Sequence, residues 1–399
     1  MRRRLNIEYA WIHANYWMVY GIVSSFASVF LLGRGYSNTE IGVILAAANV
    51  VAVVLQPFTA DLADRSRRVS LTGMMEIMTV MMMVMTFGLF VLQGKSLAIS
   101  LIFVLLVAWH TIIQPLLHSL NFKLEESGVH INFGIARSAG SLSYSVLMGI
   151  LGTLVERHGI MVLPLCGEIV LAMMLISIIL TKLQFDKTKK NSEEKGQLCA
   201  TVKDEVEEIN LISFLKRNKL FCITNLGVIG LFFSNSVMNN YLMQIVADVG
   251  GNSEDMGRIL SVMAFLEIPT LVCFDALRKR FSCQFMLKVG AAGFTAKIVM
   301  CHIAESVGMI LGAQLFQLIA FGLFLPAMVH FIDEVMSKGE AVKGQAVFTM
   351  MITLTTIFSS LAGGAILDIS GAKMLTLVSA IATAIGAVIV ITTVDRIRR

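Results

Sequence analysis

Charge is scarce in this 399-residue chain: Asp, Glu, Lys and Arg make up 15% of it, against 56% hydrophobic residues. A monomer of that composition cannot stay in water, and a net charge of +5 is too small for a nucleic-acid surface. Cysteine is also thin. Cys166, Cys199, Cys222, Cys273, Cys283 and Cys301 stand singly, mostly in apolar runs, which argues against a disulfide framework or a zinc site. No glycine-rich phosphate loop is present, so nucleotide-driven pumping is not expected. No nucleophile–base pair or metal-ligand cluster marks an enzyme, and neither cofactor nor metal is expected. Met81-Met82-Met83 has no Cys or His beside it, and the 25 methionines read as packing or lipid-facing residues rather than a soft-metal path.

What the chain has in abundance is long apolar runs. They lie at about 10–33, 39–60, 69–92, 97–120, 133–155 and 161–181, then at about 221–246, 256–277, 282–304, 308–331, 342–369 and 374–393. Each is about 20 to 28 residues, enough to cross a ~30 Å hydrocarbon core at ~1.5 Å per residue. The first lacks a small-residue cleavage site and is too long for a signal-peptide core, so it is expected to stay as a helix. The expected fold is all-α and membrane-embedded, with twelve transmembrane helices in two pseudo-symmetric bundles. Residues 1–183 form the first six-helix bundle, 184–218 a polar, Lys- and Glu-rich linker with a short surface helix near its end, and 219–399 the second bundle.

Basic residues fall on alternate gaps. Of the 32 Lys and Arg, 24 lie on one side and five, Arg34, Lys95, Arg157, Arg258 and Lys373, on the other. Arg137, Lys288 and Lys297 lie within runs. The basic side is the cytoplasmic one, so both termini and the linker are expected there, in a multi-pass plasma-membrane protein.

The halves carry a weak repeat. Asn38-Thr39-Glu40-Ile41-Gly42 resembles Asn252-Ser253-Glu254-Asp255-Met256-Gly257 with one residue inserted. Each leads through an apolar helix to an acidic, then basic turn: Asp61 to Arg68 in one half, Asp275 to Arg280 in the other. A repeated six-helix bundle points to an alternating-access carrier with its binding site near the midplane.

On these residues the whole chain resembles the major facilitator superfamily. The Asp61 to Arg68 turn is similar to that superfamily's signature between helices two and three, in which an acid (here Asp64) and a following arginine (here Arg68) tie neighbouring helices in one state. Ala60 replaces the usual leading glycine, and Ser66 and Arg67 alter the middle. Asn15-Tyr16-Trp17-Met18, then Gly42 through Gln56-Pro57, resemble the oligosaccharide:proton symporter branch. So does Phe133-Gly134-Ile135-Ala136-Arg137-Ser138-Ala139-Gly140, where the resemblance implies a sugar-binding arginine at Arg137 and an aromatic platform at Tyr144. Arg137-Ser138-Ala139-Gly140-Ser141 and Glu267-Ile268-Pro269 also resemble phenylpropionate and nucleoside carriers.

An ionisable group inside a spanning helix costs on the order of 2.5 to 3.5 kcal/mol at the centre, so each needs a partner or a water-filled cavity. Arg137, Ser141 and Tyr144 share one helix face at i, i+4 and i+7, a cation, a hydroxyl and a ring suited to a polyhydroxylated or aromatic ligand. An arginine one turn into a run can also snorkel to the interface. His110, Gln114 and His118 fall at i, i+4 and i+8 beside Pro115. By the resemblance, His118 stands where the symporter branch has the carboxylate that partners its arginine, which leaves Arg137 open to an anionic group on the substrate. Asn235, Asn239, Gln314 and Gln317 offer neutral amides that suit hydroxyl recognition or plain helix–helix bonding equally.

Glu267 and Lys297 lie near the middle of adjacent runs and are the candidates for proton coupling, with a static ion pair as the alternative. Glu76 and Glu168 lie about two turns from a membrane face and rank below Glu267. The resemblance places Gln317 and Ala320 where the symporter branch carries a His and its coupling Glu, so that machinery is rearranged here. The sequence therefore points to a secondary carrier, not an enzyme, importing a small polar solute such as a sugar or glycoside by proton symport, and acting as a monomer in the lipid bilayer. A nucleoside or aromatic acid is the rival substrate, ahead of multidrug export and of a carrier-like sensor.

Overall fold

A computed structural model of the chain describes residues 2–65, 70–126, 133–193 and 211–397. Among these there is no strand. Helices are what apolar runs of this length must form in lipid, because each backbone donor and acceptor finds its partner within the segment. The chain divides into two compact units, Met1–Tyr36 with Ile44–Lys203, and Ser37–Val43 with Asp204–Arg399.

In the first unit α1 (Arg2–Tyr20) runs through one π-turn, Gly21–Ser25, into α2 (Ala27–Gly33) with a bend of 42°. Then follow α3 (Asn38–Arg65, in this unit from Ile44), α4 (Leu71–Val91), α5 (Leu97–Glu126), α6 (Phe133–His158) and α7 (Val162–Glu193). Helix α1 packs on α6 and α7, and α4 on α5 and α7. Two glycines let α1 and α6 approach: a Cβ on Gly140 would strike the Trp17 indole, and one on Gly21 would strike Met148 and Tyr144. Helix α7 continues past Thr181 into the stretch read as linker, because residues 182–193 contain neither Gly nor Pro to stop it.

The second unit holds α8 (Leu211–Arg217), α9 (Lys219–Asn240), α10 (Leu242–Asp248), α11 (Ser253–Arg278) and α12 (Cys283–His302). After them come α13 (Val307–Ala313), a 3-10 turn over Gln314–Leu318, α14 (Phe321–Val335) and α15 (Lys338–Thr393). The short α8 stands near the end of the stretch read as linker, and its Phe214 is buried in this unit's core. Helix α15 is two helices joined at Gly371, whose φ of 77° an L side chain rarely adopts. Its second half lies against α9 at Gly227, Gly230 and Gly386, where any Cβ would strike the opposing backbone. Phe232, Phe294, Phe324 and Phe331 form the aromatic centre of this unit's core.

The repeated turns have a local cause. Asn252 and Asp255 form a reciprocal capping box at the start of α11. Ser37 and Glu40 do the same before α3: Ser37 N donates to Glu40 Oε2 at 2.9 Å and Glu40 N to Ser37 Oγ at 3.3 Å. Aligning the boxes absorbs the apparent one-residue insertion.

Nine helices are long and apolar enough to span a membrane among the described residues, or ten if the bent pair of α1 and α2 is one span. One of the nine is the 57-residue stretch Glu340–Arg396 that bends at Gly371, and α12, which carries Lys288 and Lys297, is not among them. Twelve spans remain the expectation from the runs.

Candidate functional site

A stripe of rings on α1 faces α5 and α6. Tyr9, His13, Tyr16, Trp17 and Tyr20 recur at helical spacing, so they line one side of α1. Tyr16 stacks on His110 of α5 with ring centres 4.3 Å apart, and His110 Nε2 lies 3.1 Å from the Tyr16 carbonyl oxygen. His13 stacks on His118 at 6.3 Å and bonds the Tyr9 hydroxyl at 3.0 Å; that hydroxyl donates to the Leu117 carbonyl at 3.1 Å. Helix α6 contributes Arg137, whose guanidinium carbon lies 4.1 Å from the centre of the Trp17 ring while Nη1 donates to Ser141 Oγ at 2.7 Å.

Tyr144 completes this group. Its hydroxyl and Ser25 Oγ are 2.8 Å apart, and its ring lies 6.2 Å from that of Tyr20. Ser25 ends the π-turn, in which Phe26 N reaches back to Gly21 O at 3.0 Å. The extra residue in that turn resets the helical register, a device common at functional sites.

The arrangement brings Arg137, Ser141 and Tyr144 to one wall and His118 to the wall made with His13, and Arg137 is within electrostatic reach of both His13 and His118. Gln114 is half-buried on α5 between the two histidine turns. Trp17, Tyr20, His13 and Ser25 were not singled out from sequence as site residues. The ring stripe on α1 could have found the first three, but Ser25 depends on the π-turn. Among the described residues no group of three or more His, Cys, Asp or Glu is placed to hold a metal ion.

The second unit carries a separate polar chain. Lys297 of α12 donates from Nζ to Gln317 Oε1 at 2.5 Å, and Gln317 Nε2 donates to Glu267 Oε1 of α11 at 2.7 Å. All three are buried, with 4%, 1% and 9% of their surface exposed. Gln317, read from sequence as a substrate contact, thus has both polar atoms on the charged pair. Asn235 of α9 borders a cavity of about 10 Å³ beside Lys297, room for roughly one water. Asn239 is half-buried, and its neighbour Asn240 makes the helix–helix bond, to Ser360 Oγ at 3.0 Å.

Of the lesser acids, Glu76 is held by Lys182 of α7, with Nζ at 2.8 and 3.0 Å from its two oxygens, and Glu168 is half-buried with Oε1 buried and lacking a hydrogen-bond partner. Arg68 lies outside the described residues, as does the Asp64 side chain.

Comparison with known proteins agrees with this architecture. The uncharacterized transporter YwbF of Bacillus subtilis is 22% identical over 311 residues, which are 75% of this chain and 70% of the relative. A mutant form of the nucleoside transporter NupG superposes with a TM-score of 0.77 at 12% identity, covering 98% of this chain and 99% of that one. A POT family transporter crystallised with a thioalcohol-conjugated peptide gives 0.73 at 12% identity, covering 100% and 97%. At such identities the superpositions speak for the fold alone. The model of the MFS_1 like family matches residues 9–378, and with that match spanning nearly the whole chain, the protein belongs to this family of membrane transporters.

Proposed function

We propose that the protein imports a small, ring-bearing polar solute by proton symport with alternating access, residing in the plasma membrane with both termini cytoplasmic. The observation that carries the substrate class is the wall of rings on α1 and α5 with Arg137, Ser141 and Tyr144 opposite. Flat rings stack on it, and the guanidinium, hydroxyls and imidazoles suit hydroxyl or carbonyl groups. A nucleoside has both parts, a planar base and a hydroxylated sugar. The NupG structures, named as nucleoside transporters, support this choice among ring-bearing solutes. A sugar or glycoside is the second reading, favoured by the Arg137–Ser141 pair on one stripe with the Tyr144 ring.

Coupling is assigned to Glu267 and Lys297, because a buried carboxylate and ammonium joined through one amide can change charge state together. Proteoliposomes containing the purified carrier should take up a labelled nucleoside, faster and to a higher level when the outside is acid. Uptake of an aryl glycoside but not a nucleoside would select the second reading. Uptake of either solute that ignores the pH gradient would reject proton symport.

A further inference from the structure

Gln317 lies in a break of its helix. Between α13 and α14 the backbone tightens to a 3-10 turn over Gln314–Leu318, and Ala320, with ψ of −92°, leaves helical geometry altogether. A broken helix inside a membrane protein persists only where its freed backbone groups find partners. Here Thr270 Oγ1 of α11 donates to the Leu318 carbonyl at 2.9 Å. Thr270 is one turn from Glu267, so α11 grips the break twice, once through Leu318 and once through Gln317. From the other side, Gly290 and Gly293 of α12 let that helix press against Ile319, Ala320 and Phe324, where a Cβ at either glycine would crowd them at 2.8 to 3.2 Å. The amide of Gln317 is therefore fixed in place, and its polarity is fixed too: turning it over would set N–H groups against the ammonium and oxygen against the carboxylate.

We propose that Gln317 is the positioning residue of the coupling trio, holding Glu267 in its ionised form and making its proton affinity depend on Lys297. The proposal rests on the assignment of Glu267 and Lys297 to coupling and adds the member that sequence reasoning gave to substrate. An N–H donor stabilises a carboxylate more than a carboxylic acid, so removing it makes protonation easier. Beside the trio, α12 supplies the Cys301 thiol one turn past Lys297, α9 supplies the neutral Ser234 and Asn235, and Met263 of α11 accepts weakly from Lys297 at 3.4 Å.

The test reads the carboxyl C=O stretch of Glu267 by infrared difference spectroscopy on the carrier in lipid bilayers, as pH is stepped. The band belonging to Glu267 is the one absent from Glu267→Gln. In Gln317→Met, which keeps length but neither hydrogen bond, the midpoint of that band should move to higher pH by about one unit or more, a tenfold gain in proton affinity. Gln317→Glu keeps the acceptor for Lys297 but turns a like charge on Glu267, and should move the midpoint the same way even if the Met variant does not fold. A Glu267 band unchanged from wild type in the variants overturns the proposal. Accumulation that survives in Glu267→Gln instead rejects the coupling assignment and leaves the midpoint comparison standing, so the two failures are distinct.

Discussion

Arg137 rests on the face of Trp17, 120 residues away in sequence, with its guanidinium carbon 4.1 Å from the ring centre. The contact joins α1 to α6 and aims the one arginine of the ring wall. Stacking on an indole is worth ~0.5 to 2 kcal/mol and restrains a side chain that otherwise has many rotamers.

Trp17→Ala should therefore weaken substrate binding by about two- to thirtyfold without touching the solute's polar groups, and Trp17→Phe should recover part of the loss. Arg137→Ala removes a charge-assisted contact and should cost about ten- to a hundredfold in affinity. Substrate protection against thermal unfolding measures both. Unchanged affinity in Arg137→Ala and Trp17→Ala together would place the site elsewhere.

Tyr144 separates ring from hydroxyl. Its hydroxyl is taken up by Ser25, so Tyr144→Phe should keep binding within a few-fold and lose about 0.5 to 1.5 kcal/mol of stability. Tyr144→Ala should abolish or strongly weaken binding, and Tyr144→Trp should be milder because a stacking plane remains. Affinity that falls as far in the Phe variant as in the Ala variant would mean that the hydroxyl touches solute, against the Ser25 contact.

Which parts of this architecture sequence could show follows from the range of the forces involved. The Arg137–Ser141 bond is a one-turn contact and was legible from spacing. The capping boxes at Ser37–Glu40 and Asn252–Asp255 are equally local, which is why the repeat was visible at all. The break at Gln314–Leu318 contains neither Gly nor Pro; what sustains it is Thr270 on another helix, so no window on the run from 308 to 331 could reveal it. For the same reason Gln317 read as a substrate amide, while its two partners lie 20 and 50 residues away. The joint at Gly371, by contrast, rests on one residue free to adopt positive φ, between two runs already separate in sequence.

Orientation follows from the uneven basic residues and is open to a direct check. Reporters fused after Arg399 and within 184–218 should both report the cytoplasm, given 24 basic residues on that side against five on the other. A signal from the opposite side at either position would overturn the span count and the coupling geometry built on it.

Lys182 and Glu76 tie α7 to α4 through two contacts of 2.8 and 3.0 Å. Their side chains are 37% and 21% exposed, so the pair is screened and worth about 1 kcal/mol or less. Lys182→Met should lower the unfolding temperature slightly by leaving Glu76 alone, and adding Glu76→Gln should recover most of that loss. Transport coupling should be intact in the double variant. Loss of pH-driven accumulation there would move the proton site from the second unit to the first.

Glu267 and Lys297 bear the most consequential prediction, because a static ion bridge and a coupling device predict opposite outcomes for one double variant. Glu267→Gln keeps size and hydrogen bonding but cannot ionise. If Glu267 carries or gates the proton, that variant should exchange substrate across the membrane at near wild-type rates yet fail to accumulate it against a gradient. Lys297→Gln alone leaves a buried carboxylate without the ammonium of its trio, and should cost several kcal/mol of stability unless the carboxylate takes up a proton. Removing both charges at once restores electrical balance in the core. Under a purely structural role, Glu267→Gln with Lys297→Gln should then recover both folding and pH-driven accumulation. Under coupling it should recover folding and exchange alone, since no group in the trio can still take up and release a proton. Measuring thermal stability, counterflow and acid-driven uptake on the three variants side by side decides between the two.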